Sequence, residues 1–378
     1  MVRHEVIEYG GGACRVTAQV ASFTVENGVG EWHVMLHVEG ACRPFAEQAA
    51  SLSQAFGELR ARLQGAECVL CRLFLSDAAA QQAALAGAFA GVPLSVIQQP
   101  PLDGSKVALW AVFCEGMERV GAGAFSHNGY THRYDLMCEA AGADSAAQTA
   151  SLLEGYESSL EAGGMTLADN CVRTWFFVRD VDVNYKGVVD ARRENFVGYG
   201  LTPHTHFIAS TGIEGKPDRR DVFVRMDAYA VDGLVAGQQQ YLYAKDHLNP
   251  TYEYGVTFER GVRVDYGDRC HSLISGTASI DNRGQVVHVG DVRRQTERMW
   301  ENVEALLNEG GASADDVMSI IVYLRDMADY EVVRRMFAER WGDVPVVITL
   351  APVCRPDWLV EMECMAVTER RDGRYRPF

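Results

Sequence analysis

Two glutamates near the end of the chain stand at a spacing suited to acid–base chemistry. In WLVEMECMAV, the period-two alternation of a strand puts Val360, Met362 and Cys364 on one face and Glu361 and Glu363 on the other, so two carboxylates project side by side. Such a pair can supply a general acid whose neighbour raises its pKa, can pair with arginine, or can face water as ordinary sheet surface. Just upstream, PVCRPDW offers Arg355, whose planar guanidinium can grip a carboxylate through two hydrogen bonds. Its alternative is a surface turn residue. Beside it Cys354 is a lone cysteine, a residue that is most often an inert buried side chain.

Other reactive types are scattered. Cys68 and Cys71 have metal-like spacing but fall inside the strand-like run CVLCRLFL, with no second Cys-x-x-Cys, while His204, His206 and the neighbours Cys270 and His271 are isolated. No metal ligand set is assigned. A Gly-x-Gly-x-x-Gly between strand and helix is absent, as is a phosphate-binding loop, so no cofactor is expected, and Gly10 to Gly12 read as a terminal turn.

The elements that must carry the carboxylates occupy the last third. Met299, Val303, Leu306 and Leu307 recur at helical spacing between Asp291 and Gly310-Gly311, which predicts a capped amphipathic helix. The β-rich run from Ile320 to Leu324 follows, then a second helix from Tyr330 to Trp341 and apolar runs from Val344 to Leu350 and Trp358 to Val367. Together they form one compact α+β unit.

That unit is repeated. QTASLLEGYESSLEAGG (Gln148 to Gly164) matches QTERMWENVEALLNEGG (Gln295 to Gly311) without a gap, 147 residues away, at 7 of 17 positions. The strands VRTWFFVRD and SIIVYLRD correspond as well, and so do DVFVRMDAYAV and DWLVEMECMAV. A fainter copy precedes both: a helix from Phe45 to Gly65, a strand from Cys68 to Asp77, a second helix over AAAQQAALAGAF and a final strand from Val107 to Phe113. Turn-rich stretches from Cys114 to Gly123 and after Ala230 divide the chain into units of residues 1–118, 119–236 and 237–378.

ISGTASI, the GDV..Q..R..EN...LL...G helix, VYLRD and the terminal VEMEC strand resemble the Rid (RidA/YjgF) superfamily over nearly all of Ser275 to Val367. Within it, SGTASI together with VCRPDWLVEME is more similar to the chorismatases of the 3-hydroxybenzoate-forming type than to the imine deaminases. Because Rid proteins generally assemble as trimers with ligand clefts between subunits, three tandem units imply a covalent pseudo-trimer. Its sheets would face a central axis, helices would lie outside, and each inter-unit cleft would be free to diverge.

The same resemblance assigns roles. The glutamate matching Glu361 acts in chorismatases as the general acid, and a cysteine at the position of Cys354 marks the branch that forms 3-hydroxybenzoate while releasing pyruvate. Arg355 and Arg260 would hold substrate carboxylates, with Phe258 two residues before Arg260 completing an aromatic-x-arginine pattern. Thr277, Ala278 and Ser279 would line the cleft floor, with Gly276 permitting close packing. Imine-deaminating relatives carry an arginine where this chain has Val347, which argues against their mechanism. The function expected is release of pyruvate from chorismate or a related enolpyruvyl compound; the alternatives are an enamine or imine deaminase and a non-catalytic small-molecule-binding protein.

Composition sets limits on partners. With 48% hydrophobic and 23% charged residues over 378 positions, the chain can bury a sizeable core. A formal net charge of −16 disfavours binding to a nucleic-acid backbone, yet arginines focused in one cleft can still hold a small anionic substrate. No stretch is apolar enough to span a membrane, and MVRHEVIEYGGG lacks the core of a signal peptide, so a cytoplasmic location with reduced cysteines is expected. Further association of pseudo-trimers is left open.

Overall fold

A computed structural model describes residues 1–378 apart from Asn27 and Ala86. Unit 1 contains β1 (Arg3–Tyr9), β2 (Arg15–Phe23), β3 (Glu31–Glu39), α1 (Phe45–Arg62), β4 (Ala66–Leu75), α2 (Ala78–Gln81), β5 (Leu94–Gln98) and β6 (Val107–Glu115). Unit 2 contains β7 (Glu118–Gly121), β8 (Ala124–His127), β9 (Tyr130–Cys138), α3 (Ser145–Ala162), α4 (Leu167–Asn170), β10 (Cys171–Val178), α5 (Val181–Gly198), β11 (Ala209–Glu214) and β12 (Val224–Asp232). Unit 3 contains β13 (Gln239–Leu242), β14 (Gly261–Asp265), β15 (Arg269–Ala278), α6 (Val292–Glu309), β16 (Val317–Leu324), α7 (Tyr330–Trp341), β17 (Val346–Leu350) and β18 (Val360–Glu369).

Each unit forms a six-stranded sheet of the same connectivity, β1-β2-β3-β6-β4-β5 in unit 1, β7-β8-β9-β12-β10-β11 in unit 2 and β13-β14-β15-β18-β16-β17 in unit 3. In every copy the last two strands of that order run parallel and are joined by a crossover. The fold is therefore α+β with three Rid-like units.

One residue shows why the repeat is more than a shared hydrophobic pattern. Gln48, Gln148 and Gln295 occupy the same place in the first turn of α1, α3 and α6. Each side-chain oxygen accepts from the backbone just before the unit's last strand, from Lys106 N at 2.8 Å, Phe223 N at 2.7 Å and Leu359 N at 2.8 Å. A glutamine that meets a backbone donor in a loop about 60 to 75 residues away satisfies groups that burial would otherwise orphan.

The helix α6 behaves as its periodicity predicts. Asp291 caps it by accepting from Arg294 N at 3.1 Å, Met299, Val303, Leu306 and Leu307 are buried, and Gly311 takes the left-handed conformation at φ 74° that ends it. The second helix of unit 1 departs from expectation. Only Ala78–Gln81 is α-helical, a 3₁₀ turn covers Gln82–Leu85, and Ala86 lies outside the described residues. Gly87 and Gly91 sit at φ 83° and 82°, conformations that no helix interior accepts, and they stop the alanine-rich run.

The units close on one another in a ring. β11 of unit 2 packs on β15 of unit 3, β16 of unit 3 on β3 of unit 1, and β5 of unit 1 on β9 of unit 2, a cyclic set of head-to-tail contacts. Val107, Val224 and Val360 pair with Leu75, Val178 and Leu324, the last residues of β4, β10 and β16, and this fixes the register between copies. Three positions further along stand Trp110, Asp227 and Glu363, all buried against a neighbouring unit. Asp227 takes Arg72 of unit 1 at 2.8 Å, Glu363 takes Arg173 of unit 2 at 2.8 Å, and Trp110 meets the Ser319 and Ile321 surface of unit 3. Each junction is thus bolted by a buried ion pair, the third by Glu31 of unit 1 with Arg269 of unit 3 at 2.9 Å.

Candidate active site

The position next to that valine is Ala108 in unit 1, Arg225 in unit 2 and Glu361 in unit 3. Glu361 lies directly opposite Ala278 across the β15–β18 pair, so both side chains point to the same face of the sheet. A break in register between Ile274 and Thr277 brings Gly276 beneath the carboxyl group. A Cβ at position 276 would sit 2.2 Å from Glu361 Oε1, so only glycine leaves room for the acid.

The twin carboxylates have different fates. Glu363 is bound on all sides by Arg173 at 2.8 Å, Trp175 Nε1 at 2.8 Å and the Thr211 hydroxyl, which also accepts from Gly276 N at 2.9 Å. Glu361 has no such set. Burial, followed by the charge of Glu363, raises its pKa to about 8 against the opposing pull of Arg260 and Arg173. The result is a carboxylic acid that keeps its proton at neutral pH and faces a cleft.

The cleft runs between units 2 and 3 and is narrow, with about 40 Å³ of free space, partly open to solvent. Arg260 and Arg355 line it, and Arg192 of α5 joins them from unit 2. Arg260 donates to Asn249 O at 3.3 Å, leaving its Nε without a partner. Arg192 donates to Thr257 Oγ1 at 3.3 Å and Ser210 Oγ at 3.4 Å, leaving Nη2 unpartnered. Both are buried, and neither these two nor Arg355 forms an ion pair among the described residues. A buried guanidinium without a carboxylate carries a desolvation cost that a bound anion relieves.

Aromatic rings hold the cations. The Tyr254 ring is shared by Arg260, 5.3 Å from its centre, and Arg355 at 4.8 Å, while Phe258 and Trp358 flank them at 5.5 and 4.9 Å. Tyr254 closes a 3₁₀ turn that ends at Gly255, φ 87°, and Thr251 Oγ1 secures the loop to Phe258 O at 2.6 Å.

Cys354 also lines the cleft, near Tyr185 of unit 2, but burial and then the neighbouring Glu361 push its thiol up to about 12. It is a neutral thiol at neutral pH and not a thiolate nucleophile. Thr277 and Ser279 do not face the cavity: their hydroxyls donate to Ser275 O at 2.9 Å and Val287 O at 2.8 Å. Strand alternation gives the lining to Gly276, Ala278 and Ile280 instead.

Sequence reasoning did not find Arg192, Tyr185, Tyr254 or Trp358. Trp358 and Tyr254 lie within motifs that were recognised, PVCRPDW and TYEYGVTFERG, but Arg192 and Tyr185 carry no local signal because unit 2 delivers them across the ring. The candidate metal positions are dispersed: Cys68 and Cys71 are buried in the core of unit 1, and the His206 ring stacks on Tyr241 at 4.4 Å.

Comparison with known proteins agrees with this architecture. A family profile described as Endoribonuclease L-PSP matches residues 268–368. A RutC family protein of Pyrococcus abyssi is 35% identical over 99 residues, covering 26% of this chain and 78% of that protein. The 3-aminoacrylate deaminase RutC of Acinetobacter baylyi is 33% identical over 95 residues, covering 25% of this chain and 75% of that protein. A crystal structure of a chorismatase aligns with TM-score 0.63 at 21% identity over 79% of this chain and 93% of that chain, a likeness of fold extending well beyond one unit. Through its C-terminal unit, the chain belongs to the Rid family.

Proposed function

We propose that the protein is a chorismatase-like enzyme that releases pyruvate from chorismate or a closely related enolpyruvyl compound. The observation that carries this reading is the juxtaposition of a protonated, buried Glu361 with three guanidinium groups that have no carboxylate of their own. Cleavage of an enol ether begins with proton transfer to the terminal vinyl carbon, a step that needs a carboxylic acid still protonated at the working pH. A dicarboxylate bound by Arg192, Arg260 and Arg355 would bring two negative charges beside Glu361 and raise its pKa further.

In this scheme Glu361 gives its proton to the methylene carbon, and positive charge develops at the adjacent ether carbon. Water attacks that carbon, its proton returns to the Glu361 carboxylate, and the hemiketal collapses to pyruvate and the ring alcohol. The Cys354 branch resemblance adds a second outcome, loss of pyruvate with rearrangement of the ring to 3-hydroxybenzoate, in which the residue would take part as a thiol.

The deaminase reading rests on the Acinetobacter relative. Against it stand Val347, where a deaminase would place its carboxylate-binding arginine, and Ser210 to Gly212 at the matching strand of unit 2. The endoribonuclease label describes the matched family, and a net charge of −16 is poorly suited to a polyanion. Incubation of purified protein with chorismate, with pyruvate followed by a coupled assay and the ring product by chromatography, tests the proposal. Turnover of 3-aminoacrylate without turnover of chorismate would replace it with deamination.

A further inference from the structure

The three inter-unit clefts of the ring have diverged at register-equivalent positions. Between units 2 and 3 the cross-strand pair is Ala278 and Glu361. Between units 1 and 2, Arg225 takes the place of Glu361, and its guanidinium is consumed by Glu139, by Asp218 at 2.9 Å and by Val96 O at 2.7 Å. Between units 3 and 1 the pair is His37 and Ala108. Here both the acid and its ring of arginines are gone.

Their loss leaves an open groove of about 570 Å³, within the range of small-molecule sites. Val346 and Ile348 of β17 stand where Ser210 and Gly212 of β11 stand in the other cleft, as the two parallel registers require. With Phe337 they make an apolar wall. The opposite side is polar and ordered: Gln19 Oε1 accepts from Val346 N at 3.1 Å and lies 3.2 Å from His37 Nε2, while His37 Nδ1 lies 3.2 Å from the Asp103 carboxylate. Glu39, which accepts from Thr17 Oγ1 at 3.2 Å and lies 3.9 Å from the exposed Arg15, also lines the groove. Its one guanidinium, Arg334, is occupied by Glu331 at 3.0 Å.

We infer that this groove is a second ligand site, distinct in chemistry from the first, and that it takes an aromatic amine. The ring would lie on the wall of Phe337, Val346 and Ile348, and the ammonium group would meet Asp103 and Glu39. Charge separates the two clefts: among the described residues, guanidinium groups without carboxylate partners favour a dianion in one, and Asp103 beside His37 with Glu39 loosely held by an exposed Arg15 favours a cation in the other.

Phenethylamine serves as the probe and benzoate as its anionic counterpart, with binding to the intact protein followed by ligand-observed NMR and calorimetry. The expected result is saturable phenethylamine binding at concentrations up to about 10 mM, with benzoate bound at least tenfold more weakly. Ala338→Trp, on the exposed face of α7, should abolish it by filling the groove, Asp103→Asn should weaken it about tenfold, and Glu361→Gln should leave it unchanged. Absence of saturable binding, unaltered binding in folded Ala338→Trp, or a preference for benzoate would overturn the inference.

Discussion

Replacing Glu361 by glutamine keeps the size and polarity of the side chain and removes only the transferable proton. With a pKa of about 8, Glu361 is roughly 90% protonated at pH 7, whereas a carboxyl at the ordinary 4.5 would be protonated to about 0.3%, so the site raises the supply of acid roughly 300-fold. A positioned general acid contributes about 10²–10⁴ in rate, and Glu361→Gln should lose that much in kcat for pyruvate release while KM for chorismate changes little. The wild-type enzyme should lose activity as pH rises through about 8, a limb that the variant should lack. Stability gives an independent sign. The folded state holds this proton between pH 4.5 and about 8 while the unfolded chain has released it, so the group's contribution to stability falls across that window and is flat above it. Glu361→Gln should therefore gain stability relative to wild type as pH rises, read by denaturant titration at pH 5 and pH 8.5. Full turnover in a folded Glu361→Gln variant, or a wild-type rate that does not fall between pH 7 and 9, would refute the general-acid assignment.

Glu363→Gln should act differently: it strands buried Arg173, costing about 3–5 kcal/mol in denaturant titrations, and moves the alkaline limb of the rate profile to lower pH while reducing kcat less than Glu361→Gln. Arg192→Ala should raise KM by about 10- to 150-fold, the equivalent of a charged hydrogen bond worth about 1.5–3 kcal/mol, with kcat less affected; an unchanged KM would remove unit 2 from the binding site. Gly276→Ala should lower turnover by about 10²-fold while circular dichroism stays native, because the added Cβ displaces the Glu361 carboxyl from a contact of 2.2 Å; wild-type turnover in that variant would show that the carboxyl need not sit there.

Much of this protein was legible in its sequence because repetition and periodicity are local properties. The ungapped match of Gln148 to Gly164 with Gln295 to Gly311 revealed the repeat, and the equivalent glutamines prove to be the residues that tie each first helix to its unit's last strand. Alternation in β18 placed Glu361 and Glu363 on one face, and PVCRPDW placed Arg355 beside them. The short second helix of unit 1 was misjudged because alanine content outweighed two glycines held at positive φ.

Which carboxylate is the acid was decided by tertiary structure alone. Neighbours in sequence cannot say that Arg173, Trp175 and Thr211 arrive from unit 2 to bind Glu363, or that Glu361 is left facing a cleft. Thr277 and Ser279 lie within the recognised SGTASI motif, yet a one-residue irregularity in β15 turns Gly276 and Ala278 toward the cavity in their place. Arg192 stands 169 positions before Glu361, and no local pattern links them. The sequence by itself determined the three units, the shared succession of helices and strands that marks them and the pair of candidate carboxylates, since each depends on side-chain periodicity within a short segment. Closure of the ring decided the rest, because a pKa and a binding site depend on which charges and how much water lie within a few ångströms, and those neighbours come from another unit of the chain.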